Sequence, residues 1–157
     1  MIALSSQLLA LAYTVVAMIC GMLIGAERKR AEKPTGMRTH ALIAGSAALI
    51  VYISSIIDME IGRGDPTRTL HAVITGIGFL GAGAIYMRTG ADSPGGITTA
   101  ATVFATAIIG ATVGLGAPVA ALGATVLTLF VLRVIPMLTK TRFSLPGDTH
   151  NESSDDF

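Results

Sequence analysis

The chain has 157 residues, 52% of them hydrophobic and only 13% charged. A soluble domain carries roughly 25% charged residues, so this composition excludes an ordinary soluble enzyme. Eleven Lys and Arg against ten Asp and Glu leave a formal net charge of +1, without the concentrated basic face that nucleic acid demands.

Charge is missing from 1–26, 69–87 and 93–132 among other stretches. A helix that crosses a bilayer needs about 20 largely apolar residues, which places a first span over 4–26. Its length and the lack of a cationic start are unlike a cleavable signal peptide. The single cysteine, Cys20, lies in this run, permits no internal disulfide and reads as a packing residue. After a bend at Pro34, Thr35 and Gly36, a second span is predicted over 39–57. The third, over 66–87, is opened by Asp65 as a capping acceptor and by Pro66 at the first helical position, where its missing N–H costs nothing. The uncharged run 93–132 is about 40 residues long. As one helix it would reach about 60 Å, twice the hydrocarbon thickness, so it crosses twice. The break belongs in the sequence GLGAP, Gly114 to Pro118, which gives spans over 96–113 and 118–138. Residues 143–157 are polar and acidic and are expected to form a disordered tail. Asn151-Glu152-Ser153 matches a glycosylation acceptor, a chance match if that tail faces the cytoplasm.

Orientation follows from Lys and Arg, which accumulate in cytoplasmic loops. Arg28, Lys29, Arg30, Lys33, Arg38, Arg88, Arg133, Lys140 and Arg142 fall on one side of a five-span chain, and only Arg63 and Arg68 on the other. The expected fold is an all-α polytopic bundle with its N-terminus outside and its C-terminus in the cytoplasm.

Helices in lipid associate by close packing, so small residues mark contact faces. Gly21 with Gly25 and Gly110 with Gly114 are small-xxx-small pairs. The third span holds Gly76, Gly78, Gly81 and Gly83. At about 100° per residue Gly76 and Gly83 share one side and Gly78 and Gly81 lie nearly opposite, so this span is expected to be the central helix. A second reading, an unwound segment exposing carbonyls to an ion, stays open beside it. Thr98, Thr102, Thr106 and Gly110 repeat at i+4; their hydroxyls either form a polar lane or, as we expect, bond back to their own helix.

Two charged constellations flank the spans. Glu27 and Arg28 close the first, and Arg38, Thr39 and His40 open the second. The basic run after Glu27 suits topology and headgroup contact, while Glu27 can pair with Arg28, with Arg38 or with both. On the other side lie Asp65, Arg68 and, one turn deeper, His71, an ionisable group within a span. Arginine in the first turn of a helix opposes its dipole, so Arg68 calls for a carboxylate partner.

These clusters, GMLIGAERKR, GMRTHALIAGSAALI, DPTR, GIGFLGAGAI and GITTAATVFATAIIGATVG, resemble the membrane domain of the MgtC/SapB family in order from Gly21 to Gly114. Residue by residue the resemblance implicates Gly21, Gly25, Glu27, Arg28, Gly36, Arg38, Thr39, His40, Asp65, Arg68, the run from Gly76 to Gly83, Gly96, Thr98, Thr99, Ala100 and Ala101. It implies an integral protein of the bacterial cytoplasmic membrane linked to survival in low magnesium and, in pathogens, to virulence. The form expected here lacks the soluble C-terminal domain of longer members.

An ATP-driven pump is excluded, because none of the three lysines follows a phosphate-cradling GxxxxGK loop. With no nucleophile beside a base, no enzyme is expected and no cofactor beyond magnesium as a ligand or transported ion. A magnesium channel would favour carboxylates along its path, yet the interiors of the predicted spans hold none. Glu27 and Asp65 are the weak metal candidates, at opposite faces. The preferred expectation is a small interaction protein in the lipid bilayer, with a homo-oligomer and a membrane protein complex both open as partners and nucleic acid excluded. A magnesium or other cation channel or transporter is the alternative.

Overall fold

The computed structural model describes residues 3–61, 66–86 and 96–142, without the side chains of 60, 61, 66 and 138–142. All regular structure among them is helical: α1 (Leu4–Arg30), α2 (Met37–Ile61), α3 (Pro66–Tyr86), α4 (Gly96–Gly114) and α5 (Pro118–Arg142). All five are long and apolar enough to cross a membrane. The chain is a multi-pass membrane protein. Asp65, the loops holding Arg63 and Arg88, and the tail 143–157 lie outside the described residues.

Each helix matches an expected span and most run further at their ends. α1 continues through Arg30 because arginine and lysine are good helix formers whose stems cover apolar surface while their heads reach water. The break in GLGAP is a compact turn. Gly116 adopts φ +80°, and its N–H and that of Ala117 return to the carbonyls of Val113 and Thr112 at 2.9 and 3.2 Å. This Schellman closure satisfies the last carbonyls of α4 before Pro118 starts α5.

The central helix is α4, not the glycine-rich α3. α4 contacts every other helix, and just over half of its apolar window is buried, against 6% for α3. The cause is complementarity between two surfaces. A Cβ on Gly110 or Gly114 would strike the carbonyl oxygen of Ala44 or Ala48 in α2, so these glycines let two backbones touch along alanines. On α2's other flank Gly21 of α1 meets the carbonyl of His40, and Gly25 would place a Cβ 2.6 Å from Met37 Cα. These registers make α1 antiparallel and α4 parallel to α2. The core is correspondingly small in side chain: Ala17, Cys20 and Ile24 pack with Ala44, Ala48, Ile109, Val113 and Ala121. Cys20 is fully buried, and Tyr13 and Tyr52 stack edge to face, with ring centroids 5.3 Å apart, toward the end away from the basic residues.

α3 is seated mainly on α4. Gly81 faces the Ala100 methyl at 3.6 Å, and a Cβ on Gly96 would lie 2.9 Å from Ile85 Cα, which seats α3 antiparallel on α4. Ser54 and Thr69 share a hydroxyl hydrogen bond between α2 and α3 at the far end. Below that bond the two helices separate around a groove of about 350 Å³, lined by Ser46, Ala47, Val73 and Gly76 among others.

Candidate functional site at the basic end

The α1–α2 hairpin brings the first charged constellation together. α1 ends in a second Schellman closure, with Glu32 N–H bonded to Lys29 O at 3.1 Å and Lys33 N–H to Arg28 O at 3.0 Å. Its left-handed position is filled by Glu32, at φ 54°, where glycine is the usual occupant. The turn then passes Thr35 and Gly36 and enters α2. Because Gly25 rests on the backbone of Gly36 and Met37, little space remains between the helices, and the polar groups along this seam are buried.

Arg28 is 4% exposed, and its Nε donates to Glu27 Oε2 at 2.6 Å. Of the partners open to Glu27, the structure selects Arg28; Arg38 and Thr39 are exposed. His40 is fully buried, with Nδ1 3.1 Å from the Gly36 carbonyl. Its Nε2 and the Thr35 hydroxyl are buried and have no hydrogen-bond partner among the described residues. Stranding such a group costs about 1–3 kcal/mol.

The second constellation is not assembled in the same way. Arg68 and His71 are exposed on the first turns of α3, at the end opposite Glu27, and the His71 carbonyl accepts from Thr75 Oγ1 at 2.8 Å. The expected pairing of Arg68 with Asp65 lies outside the described residues. Among the described residues no three His, Cys, Asp or Glu side chains group to hold a metal ion. Along α4, Thr102 Oγ1 donates to Thr99 O at 2.8 Å and Thr106 Oγ1 to Thr102 O at 2.7 Å, both buried, while Thr98 is exposed toward α5. These two hydroxyls are thus spent on their own helix.

The burial of Arg28 escapes a reading of the basic run as a topology signal. Gly21, Ile24, Gly25 and Arg28 are all buried, one stripe of α1 facing its neighbours. Arg28 stands three residues after Gly25 and seven after Gly21, so the small-xxx-small spacing already carried that information. Thr35 carried no such signal, because a loop residue has no periodicity.

A bundle of five membrane-length helices with a polar seam at one end defines a polytopic membrane protein. The MgtC family model matches residues 14–141, and the chain belongs to the MgtC family. It is 38% identical over 130 residues to a protein of Escherichia coli (strain K12) named "Putative magnesium transporter YhiD", covering 80% of this chain and 59% of that one. To the protein named MgtC of Salmonella typhimurium (strain LT2) it is 43% identical over 115 residues, 73% of this chain and 47% of the other. An uncharacterized protein of Haemophilus influenzae is 38% identical over 133 residues, 80% and 55% of the two chains. The chain spans about half the length of these curated relatives. No solved structure gave a significant match.

Proposed function

We propose that this chain is a bacterial inner-membrane interaction protein linked to adaptation to low magnesium, which acts by laying α3 against a transmembrane helix of a partner. The observation that carries this reading is the unused face of α3. A Cβ on Gly76 or Gly83 would meet nothing within 4 Å among the described residues, although glycine inside a helix costs about 1 kcal/mol relative to alanine. Gly76, Phe79 and Gly83 recur at 3-4 spacing and fall within one arc of the helix, nearly opposite Gly81 and its contact with α4. Phe79 is 80% exposed, so a knob stands between two notches on this face. The name of the YhiD relative supports the magnesium link.

The name of the YhiD relative also favours a second reading, conduction of magnesium or another cation. Against it stands the Glu27 carboxylate, already bonded to Arg28, which a hydrated cation would have to displace.

Two assays separate the readings. Cells lacking the gene, complemented with Gly83→Leu or Phe79→Ala, should fail to grow in low magnesium while retaining a folded protein in the membrane. Liposomes containing the wild-type chain should take up no more magnesium than empty ones. Full complementation by both variants would refute the interaction reading. Saturable uptake that falls in Glu27→Gln and Asp65→Asn would establish the channel instead.

A further inference from the structure

The basic ends of α1 and α5 enclose a cavity of about 410 Å³ that the interaction reading does not use. Leu23, Glu27 and Arg30 line it from α1, and Leu129 and Arg133 from α5. Both helices run toward the basic end, so the leucines lie deeper in the bilayer and the arginines nearer its surface. From Leu129 to Arg133 the rise is about 6 Å, close to the depth between the first acyl methylenes and the phosphates.

The charge of the cavity is decided by Glu27. Its carboxylate is bonded to Arg28, leaving Arg30 and Arg133 as two cations in one small cleft, neither with an ion-pair partner among the described residues. Two guanidiniums facing a shared space repel unless an anion bridges them, and the planar fork of each favours phosphate oxygens. Leu23 is 47% exposed, so the floor of the cleft is apolar surface open to an acyl chain.

We propose that this cleft binds an anionic phospholipid of the leaflet on the basic side, its phosphate held between Arg30 and Arg133 and its first methylenes against Leu23 and Leu129. The site rests on two helices and on a depth gradient, which distinguishes it from the general attraction of a basic loop to a membrane surface. Basic pockets of this kind between transmembrane helices suit phospholipid headgroups.

The test is native mass spectrometry of the purified 157-residue chain released from detergent, with phosphatidylglycerol, phosphatidylcholine or inorganic phosphate added. Phosphatidylglycerol should remain bound, phosphatidylcholine should not, and excess inorganic phosphate should compete poorly because it gains nothing from the leucines. Arg30→Gln and Arg133→Gln should each weaken phosphatidylglycerol binding about fivefold, and the double variant at least tenfold, on about 1 kcal/mol per basic residue. Lys33→Gln removes an equal charge from the exposed turn and should change nothing. Size-exclusion elution of each variant as a single species shows that it is folded. Equal loss in Lys33→Gln, retention in the double variant, or full competition by inorganic phosphate would each overturn the lipid site.

Discussion

Two groups of glycines in one bundle do opposite things. Gly21, Gly25, Gly110 and Gly114 sit where a single added carbon would strike the backbone of α2 or the turn leading into it, whereas a carbon added to Gly76, Gly78 or Gly83 of α3 would meet nothing within 4 Å among the described residues. Both groups look alike as sequence, and α3 is the richer. What separates them is the opposite surface. α2 presents His40, Ala41, Ala44 and Ala48 to its neighbours, small residues or bare backbone matched to each glycine, while the open side of α3 has no matching helix in this chain. The first group therefore builds the fold, and the second is available for contacts outside it. α2, gripped from both flanks, is the scaffold; α3, seated on α4 along one side, is the surface.

The sharpest way to break the comparison is to fill a notch of the first group. In Gly110→Leu the Cβ alone would lie 2.7 Å from Ala44 Cα, and α2 and α4 must part. A loss of at least about 3 kcal/mol is expected, visible as a collapsed thermal transition in detergent. Glu27→Gln comes next. It leaves the Arg28 guanidinium in a site only 4% exposed without its carboxylate, and should cost about 2 kcal/mol by the same measurement, with Arg38→Gln near neutral. Gly83→Leu adds a larger side chain where space is open. Stability should be kept or rise by up to about 1 kcal/mol, the helix cost of glycine, while association is lost, so the two glycine groups are separated by which property each substitution damages. The smallest effect belongs to Glu32→Gly, which relieves the left-handed position at the end of α1. It should stabilise by about 0.5 kcal/mol, the penalty of a side chain there less the entropy that glycine adds to the unfolded chain.

Much of the fold was legible from charge and length. The gaps between charged residues mark the five helices, and the 93–132 run has to break because no single helix of that length fits a bilayer. Gly114, Gly116 and Pro118 mark the place. Which helix lies at the centre was not legible, because glycine content measures how closely a helix can be approached and says nothing of whether another helix approaches. The alanines at 44 and 48, spaced like Gly110 and Gly114, were the missing half of that signal. At the basic end Glu27, Arg28 and His40 were legible as a group, and their separation from Arg38 and Thr39 was not. Adjacent residues at the start of α2 point to different sides, and only the seat of Gly25 on Gly36 and Met37 decides which are enclosed.

The measurement that addresses the central claim most directly is photocrosslinking in native membranes from position 79, using Phe79→p-benzoylphenylalanine, with Val126→p-benzoylphenylalanine as the control. Val126 is 65% exposed on α5 and lies outside the glycine stripe. The account predicts a discrete protein adduct from position 79, abolished by Gly83→Leu, and only lipid adducts from position 126. Lipid adducts alone from both positions would contradict it.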